Sequence, residues 1–397
     1  MLSPAVTDAS SQSWQKLWDL DPAVTFLNHG SFGACPRVVQ QQQQAFRRQI
    51  EAQPVQFFGR SLEPLLDASR ATLAEFVGAS SADLAFVPNA TTGVNTVLRS
   101  LSFRPGDELL TTDHEYNASR NALDFVAQQS GATVVVAEIP LPLSSPEQVV
   151  QSVLSKVTDR TRLLLIDHIT SQTALILPIQ PLIQALAAQG IDTLVDGAHA
   201  PGMMPLSLQS LGAAYYTGNC HKWLCAPKGA AFLYVREDRR DRIRPLVISH
   251  GANSPRQDRS FFHLEFDWTG TGDPTPFLCV GAAIQFFATL LPGGWADVMG
   301  HNRALALWAR ERLSQRLGLA LPCPAEMIGS MATLPLPEGN AESLYQALVA
   351  EFSIEVPVIP WGGLSNRLIR LSAQLYNTPA DYDRLADALD TLLTRPQ

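Results

Sequence analysis

The chain has 397 residues, 46% hydrophobic and 17% charged, which excludes a disordered polymer and leaves room for a large core plus a second, smaller domain. Its 29 basic and 37 acidic residues give a net charge of −8 without a basic stripe, so nucleic acid is not an expected partner. Five scattered cysteines (Cys35, Cys220, Cys225, Cys279, Cys323) lack paired metal-site spacing and suit a reducing cytoplasm.

The start, Met1 to Ser13, is polar and lacks the apolar core of a signal peptide. Residues 1–25 read as a flexible lead-in with one short helix around Trp14 to Leu20. After the loop Asn28 to Pro36, the run Gln40 to Gln44 reads as the polar face of a helix whose apolar side carries Val38, Val39, Ala45, Phe46 and Ile50. Leu62, Leu65, Leu66, Leu73, Phe76 and Val77 recur at helical spacing. From Asp83 strands and helices alternate: strands at Leu84 to Val87, Glu108 to Thr111, Thr133 to Val136, Arg162 to Ile166 and a run ending at Asp196. Between them lie helices from Thr92, from Asn117 to Gln129 and from Ile179 to Gln189. Strands at Ala214 to Thr217 and Ala230 to Val235 close the series. Such alternation predicts an α/β domain with a mostly parallel sheet covered on both faces.

The longest apolar stretch, Phe277 to Leu291, is interrupted by Gln285 and is shorter than the roughly 18 residues a membrane span needs, so a buried helix is expected and no membrane. Past a hinge at Pro292-Gly293-Gly294 the pattern changes. Helices at Trp295 to Leu317, Ala341 to Phe352 and Pro379 to Leu393 flank strands near Ala332 to Leu336, Ile354 to Val358 and Leu368 to Leu371, a smaller α+β domain. The expected division is an N-terminal arm over 1–35, a large domain over 36–292 and a small domain over 293–397.

Two residues organise the chemistry. Asp196 follows Ile191, Leu194 and Val195 at the end of an apolar strand, the edge where open α/β sheets bind ligands. A carboxylate buried there is tolerated when a cation or a set of hydrogen bonds meets it, and the protonated ring nitrogen of a pyridine cofactor is one such cation. Lys222 stands 26 positions later between His221 and Trp223, in a chain with only Lys16, Lys156 and Lys228 besides. A desolvated amine forms Schiff bases readily. The pair fits pyridoxal 5'-phosphate (PLP), with Asp196 on the pyridinium and Lys222 on the aldehyde. Asn89-Ala90-Thr91-Thr92-Gly93 lies between a strand and a helix, where backbone N–H groups receive phosphate or simply cap the helix. Arg370, on an apolar strand, needs an anion, and its planar fork suits a carboxylate; Arg367 is the nearby competitor.

These residues resemble the class V aminotransferase family of fold-type I PLP enzymes over about Phe26 to Tyr376. The match is nearest the isopenicillin N epimerase-like branch, through Phe26-Leu27-Asn28-His29-Gly30-Ser31-Phe32-Gly33 and His114-Glu115-Tyr116-Asn117-Ala118. The resemblance implies a large domain with a mostly parallel seven-stranded sheet and a small C-terminal α+β domain. It implies that Ala90, Thr91, Thr92 and His221 hold the phosphate, with Asn219 a weaker helper, and that the His114 ring stacks on the pyridine. Ser171 stands where relatives carry an Asn to the phenolic oxygen. His199 either shares that oxygen or the lysine linkage, or is a core histidine. Thr271 matches a Gly-Thr element that reaches the neighbouring subunit's phosphate, which implies a homodimer with shared sites; without the resemblance, it lies in a glycine-rich turn. Asn28 and Arg370 would contact the amino-acid substrate.

The expected reaction is bond breaking at Cα, with epimerisation, elimination and transamination all open. A persulfide-forming desulfurase needs a cysteine shortly before the carboxylate-binding arginine, and Pro357 to Arg370 has none. A C–S lyase needs no such cysteine. A catalytically silent binding protein would not retain three buried charges. A zinc site from His114, His168, His199 and His221 lacks motif spacing, so no metal is expected.

Overall fold

Alternate residues along the central strands feed two separate cores, which is why these strands read as unbroken apolar runs. A two-residue strand, β1 (Thr25–Phe26), comes first. The large sheet contains β2 (Leu84–Val87), β3 (Glu108–Thr112), β4 (Thr133–Ala137), β5 (Thr161–Asp167), β6 (Asp192–Asp196), β7 (Tyr215–Asn219) and β8 (Ala231–Val235). Leu164, Ile166, Val195, Tyr216 and Phe232 pack on one face, and Leu163, Leu165, Leu194, Tyr215 and Leu233 on the other. The helices Leu62–Val77, Glu147–Leu154 and Ile179–Ala187 cover the first face. Ala90–Ser100 and Asn117–Ser130 cover the second.

The order is β2-β8-β7-β6-β5-β3-β4. All neighbours are parallel except those of β8, which runs antiparallel to β2 and β7. The architecture is the α/β arrangement of fold type I. The carboxyl ends of β5 and β6 lie side by side at the centre, with Asp167 opposite Asp196 in register. Ligands bind at that edge of open parallel sheets.

The computed structural model describes residues 14–363 and 365–395, so the lead-in expected over residues 1–13 lies outside them. The small layer adds β9 (Met331–Leu336), β10 (Ile354–Glu355), β11 (Val358–Pro360) and β12 (Arg367–Ser372). An antiparallel sheet β11-β12-β9 packs against the helices Trp295–Leu317, Ala341–Phe352 and Pro379–Leu393. Its Leu334, Ile369 and Leu371 belong to the same apolar cluster as the first face of the large sheet, so one core joins the two layers.

Two expected elements differ. The helix around Trp14 to Leu20 is a single turn, with bonds from Leu17 N–H to Trp14 O and from Trp18 N–H to Gln15 O. Tertiary packing overrides it: Trp18 is buried, donates to Ala34 O and packs edge-on against Tyr376. The strand over Ile354 to Val358 is two strands, because the chain changes partner at Val356-Pro357. Before that point it pairs with β1, and after it with β12. Proline has no N–H for the ladder. The helix Glu147–Leu154 was not among the expected elements. No single described helix is long and apolar enough to cross a membrane, and the bent pair Thr275–Leu290 and Trp295–Leu317 turns by 77°. Within it the Val280–Leu290 helix buries Val280, Ala283, Ile284 and Phe287.

Candidate active site

Asp196 ends β6 with its carboxylate enclosed. Ser119 Oγ donates to Oδ2 at 2.7 Å and the Ala198 N–H to Oδ1 at 3.0 Å. Burial raises its pKa above the ordinary carboxylate value, against the pull of those bonds and of Lys222. Lys222 follows β7, and its Nζ lies 3.0 Å from His199 Nε2. The residue keeps part of its surface open, but enclosure of the amine, then the Arg370 charge, lowers its pKa to about 8. The indole N–H of Trp223 donates to His199 Nδ1 at 3.4 Å. That contact selects the Nε2–H tautomer of His199, which donates to Lys222 Nζ only when the amine is neutral.

Arg370 comes from β12 in the small layer and is 4% exposed. Nη1 donates to Ser171 O at 2.6 Å and reaches Ser171 Oγ at 3.4 Å, while Nη2 donates to Ser31 Oγ at 2.9 Å and Asn28 Oδ1 at 3.3 Å. Its Nε is buried and has no partner. Burial lowers the guanidinium pKa to about 10. Among the described residues no carboxylate comes within ion-pair distance of Arg370 or Lys222, and no cation within that distance of Asp196.

The segment Asn28–Gly33, a single helical turn over His29–Phe32, clamps these groups. His29, kept neutral by burial with a pKa of about 3, donates through Nε2 to Lys222 O at 3.1 Å and accepts at Nδ1 from the Tyr376 hydroxyl at 2.7 Å. Gly33 has φ +70°, and a Cβ there would stand 2.1 Å from His221 O, so only glycine lets the loop touch the lysine segment. Lys228 Nζ donates to Gly33 O at 2.9 Å.

The helix Ala90–Ser100 points its N-terminus at the same sheet edge. Asn89 caps it, accepting from Thr92 N–H at 2.8 Å and Thr92 Oγ1 at 3.0 Å, and Asn219 Oδ1 accepts from Ala90 N–H at 2.9 Å. Thr92, Lys228, Thr269, Gly270 and Gly272 line one cavity of about 520 Å³. Thr271 itself is exposed on that rim. His221 donates through Nδ1 to Ala230 O at 3.0 Å, leaving Nε2 available.

Three expected residues are placed in ways that sequence alone did not show. His114 has both nitrogens engaged, donating to Ile139 O at 3.1 Å and accepting from Thr173 Oγ1 at 2.8 Å, with Trp361 against its edge. The ring is wholly enclosed, so a ligand would stack on it only once a covering side chain moves aside. Ser171 serves Arg370. Arg367 is buried and donates to Pro337 O and Asn340 O at 2.9 Å, so it braces the small layer and is no rival for a substrate carboxylate. Sequence reasoning missed Ser119, Ser31, Thr173 and the buried pair Glu115 and Asp167. Only the acidic residue at a strand end, Asp167, carried the signal that had singled out Asp196.

The site thus holds a carboxylate without a cation, and an amine and a guanidinium without an anion. Pyridoxal phosphate fits: Asp196 would hold its ring nitrogen, Lys222 its aldehyde and the Asn89–Thr92 turn its phosphate. Residues 24–385 match the aminotransferase class-V family. The chain belongs to the class-V aminotransferase family. Like the family, it is a PLP-dependent enzyme. It is 39% identical over 392 residues to an isopenicillin N epimerase of Amycolatopsis lactamdurans, covering 94% of this chain and 96% of that protein. It is 30% identical over 413 residues to a putative L-cysteine desulfhydrase 1 of Oryza sativa subsp. japonica, covering 94% and 84%. Among solved structures, the cysteine desulfurase CsdA from Escherichia coli superposes with a TM-score of 0.80 at 22% identity, covering 98% of this class-V chain and 99% of that one.

Proposed function

We propose that this enzyme removes the Cα proton of an amino acid and returns a proton to the opposite face, an epimerisation of the isopenicillin N epimerase type. The observation that carries the reading is Arg370. A guanidinium with an orphaned Nε, held beside Lys222 and lacking any anion among the described residues, is built to receive a carboxylate. Bound PLP supplies an electron sink for the pair left at Cα. Lys222 takes the Cα proton as general base, and enclosure lowers its pKa to about 8, toward the neutral form that role requires. Asp196 keeps the ring nitrogen protonated, Ser119 orients Asp196, and His29 fixes the backbone of Lys222. Ala90, Thr91, Thr92 and His221 would hold the phosphate and His114 and His199 would frame the ring, while Asn28, Ser31 and Ser171 hold Arg370 in place.

Elimination on a cysteine-derived substrate is the second reading, favoured by the resemblance to L-cysteine desulfhydrases. Four of the five cysteines are buried and the fifth, Cys35, is partly so, and none lies between Val358 and Arg370, which speaks against persulfide chemistry. We further propose a cytoplasmic homodimer in which Thr271 completes the partner's phosphate site. Exposed Leu246 and Val247 on that rim, with Ile248 next in the chain, support it. The division into 1–35, 36–292 and 293–397 belongs to the same proposal. Incubating the PLP-loaded enzyme with D- and L-amino acids and thioethers tests the reaction: racemisation without keto acid or sulfide supports epimerisation, and sulfide release overturns it in favour of the lyase.

A further inference from the structure

Three buried carboxylates meet at the carboxyl ends of β5 and β6. Glu115, Asp167 and Asp196 each bring an oxygen within 4.8 Å of the other two, and none is more than 5% exposed. Strand register sets Asp167 beside Asp196, and the turn after β3 delivers Glu115. Asp196 is well supplied with donors, from Ser119 and Ala198. Its two neighbours are met less well, by the Tyr116 and Asp167 N–H groups alone on the backbone side. Glu115 Oε1 and Asp167 Oδ2 are buried with no partner, and Glu115 Oε2 has the Thr111 hydroxyl only at 3.5 Å.

Three negative charges cannot share this volume. No arginine or lysine forms an ion pair with any of them among the described residues, and Lys222 is the one cation whose charge reaches Asp167 and Asp196. The other groups facing the cluster are the Tyr116 N–H, the Asp167 N–H, Ser119, and Tyr216, whose hydroxyl is turned to His168. Like carboxylates in close contact cannot all ionise. The donors select which one keeps its charge: Asp196 has two good bonds, whereas an orphaned oxygen gains a proton of its own at least cost.

We propose that Glu115 and Asp167 are neutral carboxylic acids, positioning residues that leave Asp196 the one anion of the pocket and so reserve its charge for the cation it meets. The consequence is a pocket in which one negative charge, on Asp196, is left to meet a cation. Burial, reinforced by the charge of the neighbouring carboxylates, raises both acids well above their usual range, in the same direction. The inference rests on reading Asp196 as the partner of the pyridine nitrogen. Its test does not, because it uses the apoprotein.

Infrared difference spectra of the apoprotein at neutral pH read protonated carboxyls directly. Glu115→Gln and Asp167→Asn should each remove one carboxylic-acid C=O band. Asp196→Asn should keep both bands yet let them titrate at lower pH, because the charge that suppressed their ionisation is gone; a merely structural role would not move that titration. Should the variants fail to fold, the pH titration of the bands in the unmodified protein still decides. Absence of acid bands at neutral pH, bands indifferent to Asp196→Asn, or bands abolished by Mn²⁺ or Mg²⁺ bound at the three carboxylates would each overturn the proposal. Loss of PLP attachment at Lys222 with the bands intact would instead strike only the functional reading.

Discussion

Lys222 and Arg370 depend on each other through charge. Burial comes first in lowering the Lys222 pKa, and the guanidinium adds to it. Only the neutral amine attacks an aldehyde, so PLP capture by the apoprotein should accelerate with rising pH and level off above about 8. In Arg370→Ala that plateau should move to higher pH, because the repulsion that favoured the neutral amine is removed. Borohydride reduction followed by peptide mapping should place the label on Lys222. Label on Lys228, whose amine is already engaged with Gly33 O, would refute the assignment. Arg370→Ala should also weaken amino-acid binding by about 1.5–3 kcal/mol, the worth of a charge-assisted contact. Arg370→Lys keeps the charge but not the fork and should rescue only part. Titration of the cofactor's visible spectrum measures both; unchanged affinity in the alanine variant would remove Arg370 from the substrate site.

At the scale of elements, the phosphate end depends on how closely the helix Ala90–Ser100 approaches β7. A Cβ at Gly93 would meet Thr217 Oγ1 at 2.2 Å, and Thr217 cannot give way easily because its hydroxyl donates to Phe232 O at 2.8 Å. Gly93→Ala therefore pushes the helix off the sheet and takes the Asn89–Thr92 turn with it. Overpacking of this kind costs about 1–3 kcal/mol. Denaturant unfolding should show that loss, and equilibrium dialysis should show weaker PLP binding. Retention of both would mean that the helix slides without moving its N-terminus.

At the scale of the molecule, one chain leaves Thr271 on an exposed rim with Leu246, Val247 and Ile248 near it. If the sites are shared, Lys222→Ala chains mixed with Thr271→Ala chains should recover part of the activity. Each hybrid contains one site built from the intact lysine of one chain and the intact threonine of the other. Recovery absent while subunit exchange is demonstrated by mass would confine each site to its own chain.

The alternation of apolar strands with helices, the seven-strand sheet and the burial of Asp196 at a strand end were legible in the sequence, because buried strands and isolated buried charges leave local marks. The burial of Arg370 on an apolar strand was legible for the same reason. What surrounds these groups was not. That Ser119 serves Asp196, that His29 holds Lys222, that Ser171 turns to Arg370, and that Glu115 and Asp167 crowd Asp196 all depend on contacts between segments distant in the chain. Strand order decides them. Only when β5 and β6 lie in register, and β12 folds back over the large sheet's edge, do residues with unremarkable neighbours in sequence become each other's environment.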